Sequence, residues 1–246
     1  MLLRPRESLF HAEGGWFSAY WHFSFDQYWD EANMGLGKLR GFNDDTLVPG
    51  AAWPMHPHRD IEGITYVAEG TFEHADSRGN SGVLPPGSVQ RATLGSGMQH
   101  SERNGSKTEP MRFIQMWIMP ARRGLEPSIE QRSFSPESRR NTLKPVLVPA
   151  DGFATDGAPN AADAVHVHQD AAVYAGLLDA GASATHRLRE GFVGYFFVVH
   201  GAADLSADGA TIGALDERGA AKILSAKSLT VASPRGAEVL LVEVPR

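Results

Sequence analysis

Two histidines one residue apart, His56-Pro57-His58, are followed by a second close pair, His100-Ser101-Glu102. In a strand, residues i and i+2 leave the same face with Cα atoms ~6.7 Å apart, so each pair can aim both side chains at one point. Imidazole nitrogens and carboxylate oxygens hold a transition metal at ~2.0–2.2 Å. Two such pairs on facing strands would surround one ion with three neutral nitrogens and one carboxylate. The bland reading is of scattered polar residues beside turns, which fits most histidines. Two same-face pairs among ten histidines, each beside Gly- or Pro-rich turns, favour the metal. His56, His58, His100 and Glu102 are therefore the expected ligands. A divalent ion would carry net charge +1 there, and an octahedral one would keep two positions open. The donors suit Fe, Mn, Co, Ni, Cu or Zn without choosing among them. The absence of cysteine removes thiolate sites, disulfides and thiol nucleophiles.

Other residues are weaker candidates. His166-Val167-His168 is a second alternating pair, but no His-x-Glu follows it, so a structural or exposed strand is expected. His186 stands where a second-half pair could fall and is followed by Arg187, which leaves the second half without a ligand set. His11, His74 and His200 read as surface or turn residues. Glu62 shares the parity of His56 and His58, and a pocket or histidine-orienting role is favoured over direct ligation. Gly35-Leu36-Gly37 is no dinucleotide fingerprint, because Arg40 replaces the third glycine. The aromatics Trp16, Phe17, Tyr20, Trp21, Phe23 and Phe25 are expected to clamp the N-terminal segment onto a barrel, with one or two also lining a substrate site.

Short strand-like runs separated by Gly, Pro, Asn and Asp dominate from about residue 46 onward. They include 61–68, 70–74, 81–84, 89–93 and 111–119, the last alternating weakly, as a strand covered on both faces should. The polar, Arg-rich stretch 120–142 reads as a surface connection containing a domain boundary. Strand-like runs resume at 164–168, 173–178, 192–199, 228–232 and 238–244. Many short strands with regular turns suggest an all-β fold of barrels or sandwiches, and two similar halves suggest a duplicated barrel, 1–130 holding the metal and 131–246 without one. A net charge of −6 and no basic run argue against nucleic acid. No run nears the ~20 apolar residues of a membrane helix, and the first residues lack a signal's apolar core, so a cytoplasmic protein is expected.

The motifs also carry a resemblance. His56-x-His58-x3-Glu62 with Gly70 resembles the first cupin motif, one residue longer than usual before its glycine, and Gly97-x2-His100-x3-Asn104 resembles the end of the second. The whole run from His56 to Glu102 is similar to the pirin family of bicupins. So are His22-Phe-Ser-Phe25, Met34-Gly-Leu-Gly37, His168-Gln-Asp-Ala171 and Tyr174-Ala-Gly-Leu-Leu178. Many cupins ligate through the glutamate at position 62, whereas pirin-like proteins use the carboxylate two residues after the third histidine, here Glu102. The resemblance implies two cupin barrels, iron as Fe(II), and Ser24–Phe25 and Gln115–Ile118 near the pocket. It further implies quercetin 2,3-dioxygenase activity on a flavonol-like substrate and O2, with CO released and Glu102 as the base. Regulatory members of the family imply an alternative, a non-enzymatic iron-binding redox sensor with a protein partner. Nothing resembles the sugar-phosphate residues of cupin isomerases.

If His166 and His168 serve only their strand, alanine at either leaves metal content near wild type. Loss of metal in a folded variant, seen by elemental analysis alongside circular dichroism, would overturn that assignment.

Overall fold

The computed structural model describes all 246 residues. The chain opens with β1 (Leu2–Arg4), β2 (Phe10–Glu13), β3 (Phe17–Trp21) and β4 (Leu39–Leu47). Next come β5 (Ala52–His58), β6 (Glu62–Glu69), β7 (Phe72–Asp76), β8 (Ser81–Leu84), β9 (Ser88–Thr93), β10 (Met98–Asn104), β11 (Met111–Ile118) and β12 (Ser128–Ser133). The second half adds β13 (Lys144–Pro149), β14 (Val165–Val167), β15 (Ala172–Leu178), β16 (Ser183–Arg187) and β17 (Phe192–Ala207). It ends with β18 (Ala210–Asp216), β19 (Ala220–Ile223), β20 (Ser228–Ala232) and β21 (Ala237–Pro245). Helix is confined to three short 3-10 turns, and no helix is long and apolar enough to cross a membrane. The fold is all-β, as two cupin barrels require.

The first barrel is a seven-stranded sheet, β12-β9-β6-β11-β4-β3-β2, facing a four-stranded sheet, β5-β10-β7-β8. In the second, the 16-residue β17 pairs first with β19 and β21 and then with β18 and β20, so one long strand serves both walls. Between β6 and β7, Gly70 has φ +77°, and a Cβ there would lie 2.5 Å from the Pro110 carbonyl oxygen, so the turn admits only glycine.

Period-two alternation decides what each face of the large sheet does. Phe42 of β4, Ile64 and Tyr66 of β6, and Ile114, Met116 and Ile118 of β11 share one apolar core with Val173, Tyr195, Phe197, Leu240 and Val242 of the second half. The opposite face looks into the first barrel, where Leu47, Val67, Met111 and Phe113 pack with Phe72 and Leu84. The strand expected at 111–119 is thus covered on both faces. The second barrel has its own interior, built from Tyr174, Phe196, Val198, Leu205, Leu229, Val231, Val239 and Leu241 among others.

Three sequence expectations need correction. The strands begin well before residue 46, since β4 spans Leu39–Leu47 with Asn43, Asp44 and Asp45 all buried. The stretch 120–142 is more than a surface connection, because β12 pairs along its length with β9, and Phe134 and Arg139 are buried. The division drawn at 130 falls inside β12, and β1 joins the second half's sheet through β19. Polar composition hid a buried central strand in the first case and an edge strand in the second.

Charges also cross the junction. Asp44 accepts from Arg112 Nε and Nη2 at 2.8 and 2.9 Å and from Arg218 Nη1 at 2.6 Å, while Arg112 Nη1 donates to the Val199 carbonyl at 2.9 Å. Asp44 has no exposed surface and Arg112 is 1% exposed, so these charges have no water to fall back on. Replacing Asp44 with Ala takes away the one buried carboxylate, leaving Arg112 only the half-exposed Glu217 and Glu69 at 3.2 and 3.6 Å, and should cost about 3 kcal/mol in urea unfolding. A loss below ~1 kcal/mol, the level of an exposed pair, would show that the cluster does not hold the halves together.

Candidate metal centre

β5 and β10 run antiparallel with His100 directly opposite His56 and Met98 opposite His58. The alternation anticipated for both pairs therefore places three imidazoles on one face. Their ring centroids lie 4.8 Å (His56–His58), 4.6 Å (His56–His100) and 5.2 Å (His58–His100) apart. One donor atom from each falls within 4.8 Å of the others. Donors at ~2.1 Å from a common ion are at most about 4.2 Å apart, so small ring rotations suffice for sharing one. His56 Nδ1 donates to the Pro54 carbonyl at 2.7 Å, which leaves its Nε2 lone pair free to ligate.

A register shift between His100 and Glu102 marks a bulge on β10. Beyond it Glu102 is 2% exposed, with Oε1 3.5 Å from His100 Nδ1 and accepting from Gln115 Nε2 at 2.8 Å. Trp117 Nε1 donates to Gln115 Oε1 at 3.2 Å, which turns the amide so that its NH2 faces Glu102. Two buried atoms here find no protein partner, His100 Nε2 and Glu102 Oε2. Buried polar atoms are nearly always paired. The three histidines alone bring their donor atoms together, and an unpaired imidazole nitrogen among them with an unpaired carboxylate oxygen on the same strand suits a cation, so these residues fit one.

The electrostatics agree. Burial and the neighbouring histidines lower His58 and His100 to about 4, so both are neutral near pH 7, the form that ligates. Burial raises the Glu102 carboxyl, with His56, Gln115 and His74 opposing.

Beside this cluster lies a cavity of about 420 Å³ walled by Trp16, Trp21, Phe25, Trp53 and Trp117, with His56, His58, Glu102 and Gln115 on its surface. Trp117 packs edge-on against His58 at 4.8 Å. Of the residues expected near the pocket from the family resemblance, Phe25, Gln115 and Trp117 line it. Met116 and Ile118 face the inter-barrel core instead, and Ser24 caps a loop by bonding the Asp30 backbone. Three of the N-terminal aromatics line the cavity, more than anticipated. Trp53, Asn43 and Asp45 also line it and were not foreseen.

Glu62 is not in this pocket. It begins β6 and shares parity with Ile64 and Tyr66, so it faces the second half. There Oε2 accepts from Thr93 Oγ1 at 3.0 Å and lies 3.5 Å from His168 Nδ1 and 4.0 Å from Arg91 Nε. Counting parity from His58 fails because the chain turns at Asp60 (φ +55°) and enters another sheet. Burial raises Glu62 to about 7. His74, expected at the surface, is 7% exposed on β7 opposite Glu102, where Nε2 bonds Gln131 Oε1 at 3.0 Å. His166 bonds Glu130 at 3.1 Å, and His186 bonds Glu243 at 3.1 Å.

Comparison with known proteins agrees with this architecture. The family model described as Pirin matches residues 3–118, and that described as the quercetinase C-terminal cupin domain matches 157–244. A pirin-like protein of Caulobacter vibrioides is 36% identical over 240 residues, covering 98% of this chain and 97% of its own. A quercetin 2,3-dioxygenase of Escherichia coli K12 is 42% identical over 152 residues, 58% of this chain and 66% of its own. The crystal structure of the bacterial pirin YhhW from Escherichia coli in complex with nickel(II) is 33% identical, with TM-score 0.84 over 99% of this chain and 98% of that one.

The lowered histidines make a pH prediction for metal-free protein. Below pH 6.5 the unfolded chain protonates at His58 and His100, while the folded chain resists until about 4. Their contribution to stability is complete above pH 6.5 and is lost as pH falls towards 4. In urea unfolding, a His58→Gln/His100→Gln protein should gain on wild type steadily between pH 6.5 and 4.5. A difference independent of pH would overturn this account.

Proposed function

This chain belongs to the pirin family, and from that footing we propose that it is a metal-dependent dioxygenase that opens flavonols such as quercetin, taking up O2 and releasing CO. The observation carrying the proposal is the opening of a three-histidine cluster with a buried carboxylate into an aromatic-walled cavity. The ligands in this reading are His56, His58, His100 and Glu102, with one divalent ion per chain, iron as Fe(II). A bound metal would lower the pKa of the substrate hydroxyl and orient the reactants.

The chain's own residues do the rest. The indoles of Trp16, Trp21, Trp53 and Trp117 give a flat substrate apolar faces and keep water away. Glu102, steadied at Oε1 by Gln115, is the base that takes the proton of the flavonol 3-hydroxyl. Gln115 fixes the direction of that carboxylate, and Trp117 fixes Gln115. Loss of the proton makes the heterocycle electron-rich enough for O2 to add, and one ring carbon then leaves as CO.

Elemental analysis should find one metal per chain, falling near zero in His100→Ala; two metals, or an unchanged count in the variant, would refute the ligand assignment. Aerobic incubation with quercetin should consume O2 and release CO in roughly equal amounts. Glu102→Gln keeps a neutral oxygen of similar size but cannot take the proton, so turnover should fall at least about a hundredfold at matched metal content. Iron-loaded protein that releases no CO from several flavonols would sink the enzyme reading and leave an iron-dependent redox regulator, to be sought through its protein partner.

A further inference from the structure

The cavity holds polar groups for which the proton transfer at Glu102 has no use. Asn43 and Asp45 stand at i and i+2 on β4, so both project into the first barrel. In the register Trp21 of β3 lies opposite Asn43, and Asn43 lies opposite Gln115 of β11. Trp21, Asn43 and Gln115 thus form one row across three strands, with Asp45 one step along. Trp21 is 3% exposed, and Asn43 and Asp45 are each 4% exposed. Trp21 Nε1, Asn43 Oδ1 and Asp45 Oδ1 have no hydrogen-bond partner in the protein. Three orphaned atoms in one wall of the pocket are costly unless something binds them.

Their chemistry narrows what that is. Trp21 Nε1 can only donate, and the two side-chain oxygens offer acceptors. A ketone or ether would satisfy the indole and leave the acceptors bare. An ammonium would do the reverse, and a carboxylate would meet Asp45. A hydroxyl both donates and accepts, and the flat walls demand that it be carried on an aromatic ring.

We propose that Trp21, Asn43 and Asp45 form a subsite that reads the phenolic hydroxyls of the substrate away from the one at Glu102, making this protein selective for polyhydroxylated aromatics. The proposal deepens the flavonol reading and rests on it for the placement of the 3-hydroxyl. Selectivity follows because a ligand lacking those hydroxyls leaves the three buried atoms unpaired. Sites built to bond a hydroxyl commonly reject the analogue without it by ~10⁴–10⁵-fold, whereas sites that exclude by shape alone reach far less.

The test compares quercetin with 3-hydroxyflavone, which keeps the 3-hydroxyl and carries no other. Binding to metal-loaded protein is followed anaerobically through the fluorescence of the cavity tryptophans, and turnover is followed separately as CO. Wild type should bind quercetin at least about a hundredfold more tightly than 3-hydroxyflavone. Asn43→Leu and Asp45→Leu should each weaken quercetin binding at least about tenfold and leave 3-hydroxyflavone within about twofold, collapsing the preference. Trp21→Phe keeps an aromatic wall and removes the donor, and should lower the quercetin-to-3-hydroxyflavone affinity ratio at least about tenfold if either β4 variant fails to fold. Equal affinity for the two flavonols in wild type, or variants that weaken both alike, overturns the subsite. Discrimination in binding without CO release would leave the subsite standing and remove the dioxygenase reading, so the two failures are distinct.

Discussion

The bidentate ion pair of Asp44 with Arg112, closed by Arg218, sets the orientation of the strand on which both halves of the molecule depend. β4 is buried on both faces, and neither face is uniformly apolar. Once Asp44 is committed to the two arginines and the second half, the pleat obliges Asn43 and Asp45 to point into the first barrel. A one-residue slip would exchange the faces, placing Asp44 in the cavity and Asn43 and Asp45 against apolar side chains. The slipped arrangement takes from Arg112 its only fully buried carboxylate and leaves it the half-exposed Glu69 and Glu217, so one register is preferred over its neighbours. The interface thereby fixes the chemistry of a pocket it does not touch.

A second division of labour separates the two sheets of the first barrel. The four-stranded sheet supplies the histidines and Glu102 through β5 and β10, and β5 is only partly covered. The seven-stranded sheet supplies Asn43, Asp45, Gln115 and Trp117 from strands buried on both sides. The reactive groups thus sit where reactants can enter, and the groups that hold and read a substrate sit on rigid backing. Gln115 joins the sets, bonding Glu102 on one side and receiving Trp117 on the other.

How much of this was legible in the sequence follows from the range of each interaction. The His-x-His and His-x-Glu pairs were readable because two residues of one strand share a face wherever the strand lies. Their convergence also needed the pairing of β5 with β10, which the family resemblance supplied. Glu62 misled because parity was carried across the turn at Asp60 into a different sheet. Asn43, Asp44 and Asp45 look like a polar loop, since their solvation is replaced by partners more than 60 residues away or by a pocket. His74 looked like a surface residue for the same reason, its neighbours arriving from β10 and β12. The polar edge strand β12 gave no periodic apolar signal, because pairing with β9 rather than burial of a hydrophobic face holds it.

The two barrels show what a cavity costs. In the second, the interior is closed by sixteen buried apolar residues packed together. Its acidic group, Glu243, is already engaged by His186 at 3.1 Å and the Arg189 backbone amide at 2.6 Å. In the first, the buried interior cluster is six residues, and the remaining space is lined by tryptophans and by polar atoms without partners. Leaving such atoms unpaired sacrifices stability that closer packing would have supplied. A chain can tolerate that loss in one barrel when the other is fully packed and a large apolar layer welds the two. The second barrel and the 27-residue core between the barrels then act as the support that lets the first stay hollow.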